Sequence, residues 1–163
     1  MNKTLITITL FFSLLTSEGH ATLNPQWWGF SVGQINVIRD DKFKNNLYGI
    51  ETRFPPITRW HLIPSIGYKW SDKGFQYIYT DLRYPFYLAA KWTFSINSGV
   101  GFYDHGEYID LGHTIEFRSG IEFNYAISNK QKIGLTLNHY SNSRLAKRNP
   151  GTESIALLYL HRF

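Results

Sequence analysis

The sequence predicts an all-β protein: an eight-stranded antiparallel barrel that crosses a membrane, set behind a cleaved signal peptide. Three observations predict it. From residue 27 onward, apolar and polar residues alternate with period two, the mark of strands with one apolar and one polar face. The alternating segments run to about ten residues, the length a tilted strand needs to cross a bilayer. The chain also begins with the layout of an export signal.

That signal is residues 1–21, "MNKTLITITLFFSLLTSEGHA". Lys3 precedes an apolar run from Leu5 to Leu15, and small Gly19 and Ala21 follow at positions that suit signal-peptidase cleavage. The run is too short for a spanning helix, which needs about 20 apolar residues. Residues 22–163 are then expected to form one barrel domain, because no linker or shift in composition divides them.

The first strand is read over Trp27–Ile38 and closes on "RDDKFKNN". The second, Asn46–Phe54, stops at Pro55 and Pro56. In the third, Trp60, Leu62, Ile66, Tyr68 and Trp70 oppose Arg59, His61, Ser65 and Lys69, with "SDKG" as its turn. The fourth covers Gly74–Pro85, and Tyr84-Pro85 is read as the turn that ends it. The fifth sets Leu88, Ala90, Trp92, Phe94, Ile96, Val100 and Phe102 against Lys91, Thr93, Ser95 and Asn97, before the long connection "DHGEYIDLG". The sixth, His113–Tyr125, alternates most clearly: Ile115, Phe117, Ile121 and Phe123 against Thr114, Glu116, Arg118 and Glu122. After "SNK" come the seventh, Gln131–Ser141, and the eighth, Glu153–Phe163.

An even strand count puts both ends of the chain on the periplasmic side, so the odd-numbered connections, including 142–152, face outward from the cell. Charged residues of the polar parity, Glu51, Asp81, Arg83, Glu116, Arg118 and Glu122, are expected to pair inside the barrel, where eight strands leave room for side chains and not for a pore. Phe163 closes an alternating strand with Tyr159 and Leu157 at its parity, which resembles the assembly signal of bacterial outer-membrane proteins. With aromatics at 17% of residues a terminal aromatic alone is weak, so it counts only beside the export signal and the alternation. The rival is a secreted barrel of the lipocalin type, in which the apolar parity would point inward.

Composition removes further classes. There is no Cys, so neither a disulfide framework nor a lipid anchor on cysteine is available. Lys and Arg outnumber Asp and Glu 17 to 12, a net charge of +5, which favours anionic surfaces; export excludes nucleic acid as the natural partner. A mean hydropathy of −0.27 does not exclude a membrane barrel, whose polar interior offsets its apolar wall. Asp104, His105, Glu107, Asp110 and His113 crowd one connection without any metal-ligand spacing, so neither a metal nor a cofactor is expected.

The candidate site lies in "NHYSNSRLAKRNPGTES", residues 138–154. His139 and Ser141 continue the apolar parity of the seventh strand, and Glu153 shares the parity of Ile155, Leu157 and Tyr159 on the eighth. All three therefore belong to the lipid-facing side at the outer end of neighbouring strands. A His two residues before a Ser, with a carboxylate on the adjacent strand, is the logic of an activated serine: the imidazole takes the hydroxyl proton and the acid orients the imidazole. An acid on the lipid-facing parity is costly away from the interface and asks for such a reason.

The run His139-Tyr140-Ser141-Asn142, followed by Asn149, Gly151, Glu153 and Ser154, resembles the active-site segment of the lipid A 3-O-deacylases, outer-membrane esterases of Gram-negative bacteria. The resemblance implies a hydrolase of lipopolysaccharide, located in the outer membrane, with its site at the outer leaflet and lipid A as its partner. It implies Ser141 as nucleophile, His139 as base, Glu153 as orienting acid, Asn149 as an oxyanion donor and Asn142 as support. Pro150 follows Asn149 here, whereas the family's proline precedes the asparagine. Arg144, Lys147 and Arg148 are candidates for the phosphates of lipid A. The alternatives are a non-enzymatic small barrel acting as structural protein or adhesin, and an acyl-transferring barrel; a homo-oligomer is left open.

Overall fold

The computed structural model describes residues 24–38, 44–57 and 59–163. The signal segment, residues 1–21, and most of the "RDDKFKNN" connection lie outside the described residues. Strands β1 (Trp27–Ile35), β2 (Asn45–Arg53), β3 (Ile63–Ser71), β4 (Gln76–Tyr87), β5 (Trp92–Asp104), β6 (Ile115–Ser128), β7 (Gln131–Ser141) and β8 (Thr152–Arg162) pair in chain order. Every pairing is antiparallel, and β8 returns to β1, Phe30 opposite Tyr159, to close the barrel. Closure satisfies the backbone of every strand and leaves no edge, which a strand surrounded by lipid requires.

The parity decides between the two barrels open to the sequence. Phe30, Ile78 and Leu157 are 53%, 53% and 64% exposed, whereas Arg83 and Glu122 are each 1% exposed. The apolar face points outward, so the lipocalin arrangement is overturned. Tyr48, Trp70 and Tyr68 stack at the outer end of this wall, with centroids 5.8 and 5.6 Å apart. Trp28, Trp92 and Phe163 stand exposed at the inner end. Together they are the aromatic girdles that set a barrel's depth in a bilayer.

Inside, the inner half holds a charged network. Arg53 donates from Nη1 and Nη2 to the two oxygens of Glu122, both at 2.8 Å, and from Nε to Glu51 at 2.6 Å. Arg118 donates to Asp81 at 2.5 Å, and Arg83 lies 3.5 Å from Glu122. Fork-to-fork pairing of this kind compensates charges taken out of water. Glu116 is equally buried but joins none of these pairs among the described residues.

The outer half of the interior departs from the expected polar filling. Phe75, Tyr77, Tyr103, Tyr108, Leu111 and Tyr140 pack there with Ile35 and Leu47. Phe75 meets Tyr103 edge-on at 5.4 Å, and Tyr77 meets Tyr140 at 5.3 Å with planes at 90°. Edge-to-face pairs of this sort add about 0.5–1.5 kcal/mol each beyond their buried area. The result is an aromatic plug immediately beneath the outer loops.

Several strand ends shift from the sequence reading, and two of the shifts have a local cause. Tyr84 and Pro85 lie within β4, paired with Ile96 and Ser95, and the turn falls at residues 88–91. The Leu88 N–H donates to the Trp92 carbonyl, an alternation that turns Pro85's nitrogen away from β5. On the other side β3 pairs with β4 only as far as Arg83, so the missing N–H leaves no ladder bond unmade. Trp60 and Leu62 do not open β3: His61 has φ +54, and Ile57 bridges to Leu62 within the turn.

Candidate active site

β7 and β8 bring the predicted residues together through register. His139 and Glu153 face each other directly across the pair, both on the outward parity. Their side chains meet: His139 Nδ1 lies 3.1 Å from Glu153 Oε1. The imidazole is 45% exposed and the carboxylate 19%, so the pair is reachable from the barrel's exterior. Glu153 Oε2 is buried and accepts no hydrogen bond among the described residues. Such an unsatisfied acceptor is expensive unless the site uses it.

Ser141 is the last residue of β7, opposite Phe117 of β6 and on the same face as His139. Two residues along a strand separate Cα atoms by about 6.6 Å, and Ser141 Oγ makes no hydrogen bond among the described residues. Nδ1 of His139 is occupied by Glu153, which leaves Nε2 as the nitrogen free to take a hydroxyl proton.

The outer loop 142–151 is shaped by Asn142, which turns inward and is fully buried. Its Nδ2 donates to the carbonyls of Leu111 and Arg148, at 2.8 and 2.7 Å. Its Oδ1 accepts the Arg144 N–H at 2.9 Å, where Ser143 and Arg144 both have positive φ. The Asn142 N–H donates to Asn149 Oδ1 at 3.1 Å. A backbone donor fixes the orientation of that amide, so Asn149 keeps its NH₂ group for another acceptor.

Gly151 closes the loop against the imidazole. It has φ +64, and a Cβ there would stand 2.9 Å from His139 Cε1 and 3.4 Å from Nε2. Any side chain would therefore press on the ring while straining the backbone. Beneath the site, the plug holds both strands: Tyr140 OH lies 3.3 Å from Ser154 Oγ, and Tyr108 OH 3.5 Å from Thr152 Oγ1. Burial pushes the Tyr108 phenol up to about 12, so it stays a neutral hydrogen-bonding group.

Sequence reasoning missed the contributions of the other loops. Leu111 supplies a carbonyl to Asn142, Gly112 (φ +95) packs against the Arg148 carbonyl, and the Asn36 N–H donates to the Glu153 carbonyl at 2.6 Å. Only the glycine left a signal in the sequence. Arg144, Lys147 and Arg148 are exposed in the loop, and Arg148 Nη1 sits 3.8 Å from Asp110 Oδ2. The acidic and histidine-rich connection makes turns: Asp104 accepts from the Gly106 N–H, Asp110 from the Gly112 N–H, and His113 Nδ1 from the Ile115 N–H.

Residues 18–162 match the family model described as lipid A 3-O-deacylase (PagL). Lipid A deacylase PagL of Bordetella bronchiseptica is 26% identical over 116 residues, and the match covers 64% of this chain and 64% of the length of that relative. Among solved structures, the outer membrane enzyme PagL superposes with a TM-score of 0.67 at 20% identity, covering 84% of this chain and 99% of that one. Neisserial surface protein A superposes at 0.61 with 10% identity, covering 84% and 95%. These two structural likenesses speak for the barrel alone, since a fold carries many functions.

Proposed function

Because the chain belongs to the lipid A 3-O-deacylase family, we propose that it is an outer-membrane serine esterase that hydrolyses the ester-linked acyl chain at position 3 of lipid A, in the outer leaflet. The observation that carries this reading is the 3.1 Å His139–Glu153 contact on the outward wall, with the unbonded hydroxyl of Ser141 on the same face. An ester embedded in a leaflet meets such a site without leaving the membrane.

In the first half-reaction Ser141 Oγ attacks the ester carbonyl carbon while His139 Nε2 takes its proton. Glu153 holds Nδ1–H and stabilises the imidazolium. The negative charge on the carbonyl oxygen is met by the free amide of Asn149, held by its bond to the Asn142 N–H. Collapse breaks the carbonyl C–O bond: the sugar 3-oxygen leaves with the proton from His139, and the acyl group stays on Ser141. In the second half water attacks that acyl group, His139 takes and returns a proton, and free hydroxy fatty acid departs. Arg144, Lys147 and Arg148, exposed in the outer loop, supply the cations for the phosphates of lipid A.

Mass spectrometry of lipid A, after incubation with the refolded protein and with Ser141→Ala, tests the proposal. Loss of one hydroxyacyl chain with the wild type alone is the expected result. Unchanged lipid A with both proteins, across several lipid A structures and detergents, would overturn it.

A further inference from the structure

The two rims of the barrel carry charge differently. At the outer rim acids and bases are mixed: Asp72 neighbours Lys73, and Asp110 sits beside Arg148. At the inner rim stand Arg59, Lys91, Lys130, Lys132 and Arg162. Among the described residues, no Asp or Glu occurs in the inner turns or in the last two residues of any strand ending there. The nearest acids, Glu51 and Glu122, lie deeper and are engaged by Arg53.

Aromatic rings seat four of these five cations. Lys132 Nζ lies 4.7 Å and Arg162 Cζ 5.8 Å from the Trp27 ring centroid, Lys91 Nζ 5.7 Å from Tyr125, and Arg59 Cζ 5.5 Å from Trp60. A ring face orients a cation without neutralising it, so the rim keeps its positive field. Backbone bonds make most of the set contiguous: Arg162 N–H donates to the Lys130 carbonyl at 2.8 Å, and Ala126 N–H to the Lys91 carbonyl at 2.8 Å.

We propose that the inner rim is a binding surface for the anionic headgroups of phospholipids in the inner leaflet, with Arg59, Lys91 and Lys130 at the turn tips making the phosphate contacts. The rim is continuous with the lipid-facing wall, so the nearest phosphates belong to lipids whose tails cover that wall. The exposed Trp28, Tyr87, Trp92 and Phe163 hold the turns at headgroup depth. Basic side chains at that depth attract anionic lipid over a screening length of about 10 Å at 0.1 M salt. The inference rests on the membrane placement of the barrel and not on the esterase chemistry.

Native mass spectrometry provides the test. The refolded full chain is equilibrated with equal amounts of phosphatidylglycerol and phosphatidylethanolamine, and the retained lipids are compared with those of Arg59→Gln/Lys91→Gln/Lys130→Gln and of the outer-rim variant Lys73→Gln. The wild type and Lys73→Gln should favour phosphatidylglycerol by about tenfold, and the triple variant should lose that preference. Lipid A hydrolysis in the same samples should stay at the wild-type level, which separates this test from that of the esterase. Equal retention of both lipids by the wild type, or a preference that survives the triple substitution, would overturn the proposal.

Discussion

Two acid–base pairs in this barrel are built from the same chemistry and set to different ends. Inside, Arg53 and Glu122 make two parallel 2.8 Å bonds, at 6% and 1% side-chain exposure, and Glu51 joins them. On the outer wall His139 and Glu153 share one 3.1 Å contact, the imidazole is half exposed, and one carboxylate oxygen has no hydrogen-bond partner among the described residues. The interior pair has satisfied its charges and holds the fold. The exterior pair leaves Nε2 of His139 without a protein partner among the described residues, on the face that also carries Ser141.

Substitution should separate the two. The largest effect is expected for Ser141→Ala, which should lower lipid A hydrolysis by on the order of 10⁴-fold or more, while the heat-modifiable form on gels remains. Inside, Glu122→Gln breaks a buried ion pair on one side, and urea unfolding in detergent should report a loss of about 3–5 kcal/mol, with activity per folded molecule retained. Asn149→Ala should cost about 10²–10³-fold in kcat with little change in KM, as removal of an oxyanion donor does. Gly151→Ala is the mildest and lies between the two classes. The strain of Ala at φ +64 is about 1–2 kcal/mol, and the methyl group beside His139 Cε1 should lower kcat by roughly tenfold.

The exterior of the barrel was legible in the sequence because lipid imposes one rule on every outward residue. Alternation from Ile115 to Phe123 already assigns the wall, and the seventh and eighth strands bring His139 and Glu153 to one face by parity alone. The aromatic plug was not legible. Phe75, Tyr77, Tyr103 and Tyr140 occupy the inward parity that also carries Arg83 and Glu122, and alternation does not distinguish an aromatic filling from a polar one. Within the site the loop architecture was equally silent: Asn142 bonds to Leu111 across a sequence separation of 31, and contacts of that range have no period to read. Pro85 misled for a local reason, since a proline inside a strand is harmless where the neighbouring strand has ended.

The division between the two pairs is tested most directly by carrying Glu153→Gln and Glu122→Gln through the same two assays, lipid A hydrolysis by mass spectrometry and urea unfolding in detergent. Glu153→Gln should lose most of its activity and unfold at the wild-type midpoint, while Glu122→Gln should unfold at lower urea and hydrolyse lipid A at the wild-type rate wherever it is folded. Full activity in Glu153→Gln, or a shift in its unfolding as large as that of Glu122→Gln, would contradict the assignment of the outer pair to chemistry.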